Sequence, residues 1–278
     1  MSFPQFVGIT GLPRAGSTLL GQLLAQHPDV HCEGNSSPLC STLMGIRRLT
    51  SLDQFMLSQL DGGFDTAYGH LRSGMQGFLR GWYREVDKQA VVDKSRGWLA
   101  AVETLLQVAP EARLVVCLRE LGQVYGSIEA QHQKTVLLDF NDQLADLDRF
   151  SRADALFAKD RVIGAPLAAV QAVAELPAAV RQQLYFLRFE DLMANPSGCM
   201  SHIYAWLGLP AFEIDPEHLP VGAPESDSHY RMKYRHTQST RLRGPRAHEI
   251  PPRIQQQIQK ACAWYYEAYY PGFDGTAA

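Results

Sequence analysis

Gly11-Leu12-Pro13-Arg14-Ala15-Gly16-Ser17-Thr18 decides how the rest of this chain is read. It follows a short apolar run, Phe-Val-Gly-Ile-Thr at residues 6–10, with the composition of a buried strand. It runs into Leu19-Leu20-Gly21-Gln22-Leu23-Leu24-Ala25, the body of a helix. Strand, glycine-rich turn and helix together make an anion cradle, because backbone N–H groups and the positive end of the helix dipole meet at the turn. Gly11 and Gly16 stand at P-loop spacing, with hydroxyls closing the loop. Ser17 occupies the place where that motif carries lysine, and the cation lies inside the loop, at Arg14. A loop lacking the lysine that neutralises terminal phosphates is poorly suited to γ-phosphoryl transfer.

The strand-then-helix order repeats along the chain. Residues 90–92 form a second strand candidate closing on Asp93-Lys94, followed by a helix at 98–108 that Pro110 stops. Residues 113–118, Arg-Leu-Val-Val-Cys-Leu, are a near-continuous apolar run of the kind buried in a parallel sheet. A helix at 121–133 comes next, then a largely helical region at 136–180 with a break expected at 164–166. A strand at 184–189 and a helix at 196–207, closed by Gly208, complete the repeats. Between residues 29 and 88 the pattern is weaker, with a Ser-rich loop at 34–41 and helices around 43–60 and 67–83. Residues 210–252 show no periodicity, and an amphipathic helix covers 253–269. This alternation predicts an α/β fold with a central parallel sheet flanked by helices, in one domain spanning residues 1–278. Ligands of such sheets bind beyond the carboxyl ends of the strands, so Arg14, Asp93-Lys94 and Arg119 are expected to converge on one crevice.

Composition narrows the class. The 278 residues are 46% hydrophobic and 20% charged, ordinary for a globular protein, and a net charge of −3 confines any anion site to a local patch. Five cysteines, odd in number and without CxxC pairs, fit a reducing compartment better than a disulfide framework. Met-Ser-Phe-Pro-Gln at the start has no basic or apolar signal character, and no apolar run is long enough to span a bilayer, so a cytoplasmic location is expected. His27, His31, Cys32 and Cys40 match no standard zinc spacing, and no metal is expected. Between residues 228 and 248 the chain carries Arg231, Lys233, Arg235, Arg241, Arg243 and Arg246 with no acidic residue. That run reads either as a solvated face or as a basic lid over an anion site. Only Tyr230 and Tyr234 offer stacking surface within it, so nucleic acid is not the expected partner. The aromatic final helix, with Trp264, Tyr265, Tyr266, Tyr269 and Tyr270, serves either the core or a homodimer contact.

These residues carry a resemblance. The chain resembles the sulfotransferases that use 3′-phosphoadenosine 5′-phosphosulfate (PAPS) and release PAP. Residues 11–20 are similar to that family's 5′-phosphosulfate loop, and Arg119-Glu120-Leu121-Gly122-Gln123-Val124-Tyr125-Gly126-Ser127 to its 3′-phosphate motif. Leu187-Arg188-Phe189-Glu190-Asp191-Leu192, Pro196 and Trp206-Leu207-Gly208-Leu209 resemble its late strand–helix unit. His27-Pro28-Asp29-Val30-His31-Cys32 and Val92-Asp93-Lys94 resemble the branch holding protein-tyrosine sulfotransferases and their bacterial relatives. The resemblance implies a P-loop-like sulfotransferase fold. It implies that Pro13, Arg14, Ala15, Gly16, Ser17, Thr18 and Leu19 hold the 5′-phosphosulfate. Arg119 and Ser127 would hold the 3′-phosphate, helped by a tail residue among His229, Arg231 and Arg235. Lys94 would stabilise the bridging oxygen as PAP leaves. The general base of the tyrosine-specific relatives aligns with Asn35, which cannot take a proton, so Glu33 and His132 are the candidates. The implied reaction is in-line transfer to an acceptor hydroxyl, on a peptide tyrosine or on a small alcohol or phenol, with no metal required. A P-loop kinase and a non-catalytic nucleotide-binding module are the alternatives.

Overall fold

The structure, a computed structural model, describes residues 3–137, 144–222, 225–226, 235–236, 238–244 and 247–273. Five parallel strands form the central sheet: β1 (Gln5–Gly11), β2 (Val30–Ser36), β3 (Ala90–Lys94), β4 (Arg113–Leu118) and β5 (Leu184–Arg188), in the order β2-β3-β1-β4-β5. The helices are α1 (Ser17–Leu24), α2 (Leu39–Leu52), α3 (Gln54–Trp82), α4 (Val102–Val108), α5 (Leu121–Lys134), α6 (Arg149–Phe157), α7 (Gly164–Ala172), α8 (Ala178–Arg181), α9 (Phe189–Ala194), α10 (Pro196–Leu207), α11 (Pro252–Ala261) and α12 (Ala263–Tyr269). A two-residue antiparallel pair, β6 (Glu225–Ser226) with β7 (Arg235–His236), lies in the tail. β1 and β4 are mostly apolar because helices cover both their faces, with Gln5 and Arg113 at their starts and Thr10 near the end of β1. Val7, Ile9, Val115, Val116 and Leu118 are wholly buried in one contiguous core. Among the described residues no helix is long and apolar enough to cross a membrane.

Strand alternation sorts the residues that matter. Gly8 of β1 stands opposite Asp93, and Ile9 opposite Lys94. Phe6 and Gly8 face Trp98 and, through Phe6, Tyr83. Asp93 therefore points to that side, where its carboxylate accepts from Tyr83 Oη at 2.8 Å and Trp98 Nε1 at 2.6 Å. Lys94 points to the other side, toward α1. The expected convergence of both residues on one crevice is corrected here: only Lys94 reaches it.

Several boundaries differ from the sequence reading, each for a physical reason. Residues 34–36, read as part of a loop, belong to edge strand β2, which pairs with β3 alone and shifts register between Cys32 and Ser36. Its polar residues and Gly34, at φ 76°, suit a strand with one partner and a bend. The Ser-rich stretch also gives way to α2, which starts at Leu39, and α3 starts at Gln54, capped by Asp53 and broken at Gly63. Gly164 begins α7 rather than breaking a helix. A side chain there would strike the Ala158 carbonyl, and Pro166 sits in the first turn, where a missing N–H is harmless. Residues 98–101 form turns, so the helix starts at Val102. The single C-terminal helix is two, divided at Cys262 (φ −118°, ψ 33°), which lets α11 lie on α5 while α12 turns its tyrosines elsewhere.

Candidate active site

The loop between β1 and α1 is shaped by three residues with positive φ: Gly11 at 110°, Arg14 at 59° and Gly16 at 83°. Gly11 cannot carry a side chain, since a Cβ would lie 2.2 Å from the Cys117 carbonyl oxygen of β4. Leu12 N–H donates to that same oxygen at 2.9 Å, so the loop leaves the sheet tied to β4. Arg14 holds the left-handed conformation without being glycine, at a cost of about 1–2 kcal/mol. Its own contacts offset that cost. Arg14 Nε donates to Ser127 Oγ of α5 at 3.0 Å, and the Arg14 carbonyl accepts from Arg119 Nη1 at 2.9 Å. The two motifs picked out from sequence, more than a hundred residues apart, are thus joined through Arg14.

α1 begins without a side-chain cap at Gly16, and its first internal bond is Leu20 N–H to Gly16 O at 2.9 Å. The N–H groups of Ser17, Thr18 and Leu19 precede that bond and have no acceptor within the helix. They face a pocket of about 280 Å³ lined by Arg14, Gly16, Ser17, Thr18, Leu19, Gln22, Arg119, Phe189, Gln238, Ser239, Arg241 and Arg243. Lys94, nearly buried, donates from Nζ to Thr18 Oγ1 at 3.1 Å and so stands at the helix start. Arg119 is nearly buried with its guanidinium 4.8 Å above the Phe189 ring. Burial pushes its proton affinity down, Glu190 acts in the opposite sense, and Arg14 lowers it further. Four arginines line this pocket and Lys94 stands beside it at the helix start; these cations repel one another, and an anion relieves that repulsion.

The pocket gathers Arg14, Gly16, Ser17, Thr18, Leu19 and Arg119, with Ser127 and Lys94 bonded to its rim. Pro13 and Ala15 are buried in the loop behind it. The other candidates lie apart from the pocket lining. Glu33 is on β2 with its side chain 78% exposed, 3.8 Å from His31 Nε2. His132 is buried in the last turn of α5, about 16 Å along the axis from Leu121. Asn35 is half-buried, and its Oδ1 approaches Gly222 of the tail. His229, Arg231 and the side chain of Arg235 lie outside the described residues. Burial pushes the Cys32 thiol up to about 11, which disfavours the reactive thiolate. Among the described residues no group of three or more His, Cys, Asp or Glu is placed to hold a metal ion.

The tail contributes residues that the sequence did not single out for the pocket. Gln22 of α1 donates from Nε2 to the carbonyls of Pro220 and Ser239 at 2.8 and 3.0 Å. Gln238 Oε1 accepts the Gly222 N–H at 2.8 Å. At the far end, Gln123 of α5 exchanges two bonds with the His248 backbone, at 2.8 and 3.0 Å. A side chain on Gly126 would strike His248 and Ile250. With Ser239 and His248 held by amide side chains, the strap of tail from Gln238 to Gly244 brings Arg241 and Arg243 to the pocket. A buried glutamine on the apolar face of α1 is the signal that could have found the clamp. Arg241 also lies 3.7 Å from Glu217 in an exposed pair, too weak to hold it from an incoming anion.

Residues 5–213 match the model of the Sulfotransferase family. Among solved structures, a sulfotransferase from Alicyclobacillus acidocaldarius is 17% identical and aligns over 95% of this chain and 92% of its own, with a TM-score of 0.52. A sulfotransferase from Mycobacterium avium is 16% identical over 99% of this chain and 79% of its own, with a TM-score of 0.54. No curated protein matches.

Proposed function

The chain belongs to the sulfotransferase family and is a PAPS-dependent enzyme; from that premise we propose that it transfers the sulfuryl group to a phenolic hydroxyl, a tyrosyl peptide or a small phenol. The observation that supports reading the loop and α5 as one PAPS site is the Arg14–Ser127 bond, which joins the loop after β1 to α5. One domain carries the whole site. PAPS brings the sulfuryl group on a phosphate oxygen, and the chain supplies position and charge. The N–H groups of Ser17, Thr18 and Leu19, with Arg14, hold the 5′ end. Arg119, Ser127 and the strap arginines Arg241 and Arg243 hold the 3′-phosphate. Lys94 donates toward the oxygen that gains charge as the bond to sulfur breaks. Charge is balanced by these cations, so the chemistry asks for no metal.

The choice of a phenol follows from the base. Asn35 replaces the carboxylate of the tyrosine-specific relatives, and Glu33 is exposed to water. A weak base serves an acceptor whose own proton is easily lost, and a phenol at about 10 is far more acidic than an aliphatic alcohol. Glu33, two residues from Asn35, takes the proton when the acceptor covers the β2 edge. His132 is the alternative base, and its place deep along α5 makes it the weaker candidate. The test is transfer of labelled sulfate from PAPS to tyrosyl peptides, small phenols and aliphatic alcohols. Phenolic acceptors are expected to turn over and alcohols to lag at least about tenfold. Equal or faster transfer to alcohols contradicts the phenol assignment, and Glu33→Gln with unchanged turnover removes Glu33 as the base.

A further inference from the structure

Behind Arg119 lies a network of phenols and carboxylates that takes no part in holding the nucleotide. Tyr265 of α12, wholly buried, donates its hydroxyl to the Arg119 carbonyl at 2.9 Å. Tyr266 donates to Glu120 Oε1 at 2.6 Å, and Gln255 Nε2 of α11 donates to the same oxygen at 3.0 Å. Tyr270 donates to Glu190 Oε2 at 2.8 Å, while Glu190 Oε1 accepts the Glu120 N–H at 3.1 Å. The Glu120 carboxylate also caps α5, taking the N–H groups of Gly122 and Gln123 at 2.9 and 2.7 Å. Gln255 fits against this turn because residue 122 is glycine; a Cβ there would lie 1.9 Å from Gln255 Oε1. Burial above all pushes the three phenols up, so they stay protonated and act as donors. All three hydroxyls thus end on the 119–120 turn, directly or through Glu190.

We infer that Tyr265, supported by Tyr266 and Tyr270, is a positioning residue for Arg119, and that the C-terminal helices thereby set the preference for a nucleotide bearing a 3′-phosphate over one without it. This rests on the reading of Arg119 as a holder of that phosphate. The Arg119 side chain spans from its backbone to the Arg14 carbonyl, so a shift of the 119 carbonyl moves the guanidinium relative to the loop. Small displacements of a charged hydrogen-bonding group weaken recognition steeply.

The experiment measures affinity of the full chain for PAP and for adenosine 5′-phosphate by calorimetry, in wild type, Tyr265→Phe and Arg119→Ala. Tyr265→Phe is expected to weaken PAP about five- to tenfold and leave adenosine 5′-phosphate unchanged, and to raise KM for PAPS in step while kcat holds. Equal weakening of both nucleotides, or of neither, overturns the positioning role. Arg119→Ala separates the two levels. Collapse of the PAP preference in Arg119→Ala, without any change in Tyr265→Phe, defeats this inference alone. A PAP preference that survives Arg119→Ala defeats the 3′-phosphate assignment and the inference with it. If circular dichroism shows Tyr265→Phe unfolded, Tyr266→Phe carries the same test with the same outcomes, since among the described residues its hydroxyl bonds Glu120 and Gln255 beside Arg119.

Discussion

Replacing Lys94 by methionine lowers kcat for sulfuryl transfer about 100- to 1,000-fold, the range seen when one donor to a developing oxyanion is removed. PAP affinity changes far less. The reason lies in where the ammonium sits. β3 carries Lys94 on the α1 side of the sheet, and its bond to Thr18 Oγ1 holds it at the helix start rather than deep in the pocket. In the proposed function, a group there meets the oxygen on which charge builds as the bond to sulfur breaks. It adds more to the transition state than to the bound nucleotide, so its loss falls on kcat. Methionine keeps the apolar stem that packs in the core and removes only the charge. Pre-steady-state transfer from labelled PAPS measures the step itself. A kcat within about threefold of wild type, at equal PAPS saturation, removes Lys94 from the chemistry.

Arg119→Ala gives the second large effect, and it falls on binding. The guanidinium is nearly buried, bonded to the Arg14 carbonyl and stacked over Phe189, so its place is fixed before any ligand arrives. A charge-assisted bond of this kind to a phosphate is worth roughly 2–3 kcal/mol, or on the order of 100-fold in PAP affinity. Adenosine 5′-phosphate, lacking the 3′ group, is expected to bind the variant almost as it binds wild type. Raising salt weakens PAP binding to wild type more than to the variant, because one fewer cation then contributes. Parallel loss of both nucleotides in Arg119→Ala would place the residue in scaffolding rather than in recognition of the second phosphate.

The parts of this site that were readable from sequence are those where one backbone requirement forces one residue type. Gly11 and Gly16 both hold positive φ, and the close approach of β4 at Cys117 leaves no room for any other residue at 11. The buried strands β1 and β4 were plain because covering both faces leaves a nearly continuous apolar run. β2 was hidden because an edge strand with one partner tolerates His31, Glu33, Gly34 and Asn35, a composition that reads as loop. Asp93 was misplaced because adjacent strand residues point to opposite faces, and its neighbours Tyr83, just after α3, and Trp98, in the turn before α4, are brought to it by tertiary packing that has no sequence signature. Of the C-terminal aromatics, read as serving either the core or a homodimer contact, Tyr265, Tyr266 and Tyr270 are buried within the chain, and the bonds of their hydroxyls were invisible in the sequence. The charge run at 228–248 showed that cations were plentiful there without saying which would arrive. Arg241 and Arg243 reach the pocket because Gln22 and Gln123 clamp the strap on either side, and a long-range amide-to-backbone bond leaves no spacing to read. Arg188 and Asp191 form an ion pair at 2.6 Å, whereas Glu190 turns to Tyr270 and the Glu120 N–H.

The central claim is that the missing P-loop lysine, the arginine at position 14 and the second anion site at Arg119 and Ser127 together define a cradle for PAPS rather than for a nucleoside triphosphate. Calorimetric titration of the wild-type chain with PAP in EDTA, set beside titration with ATP and Mg²⁺, tests this most directly. The account predicts tight, stoichiometric PAP binding in EDTA and ATP·Mg²⁺ binding weaker by at least about 100-fold. Tight binding of ATP·Mg²⁺ with weak or metal-dependent binding of PAP would contradict it.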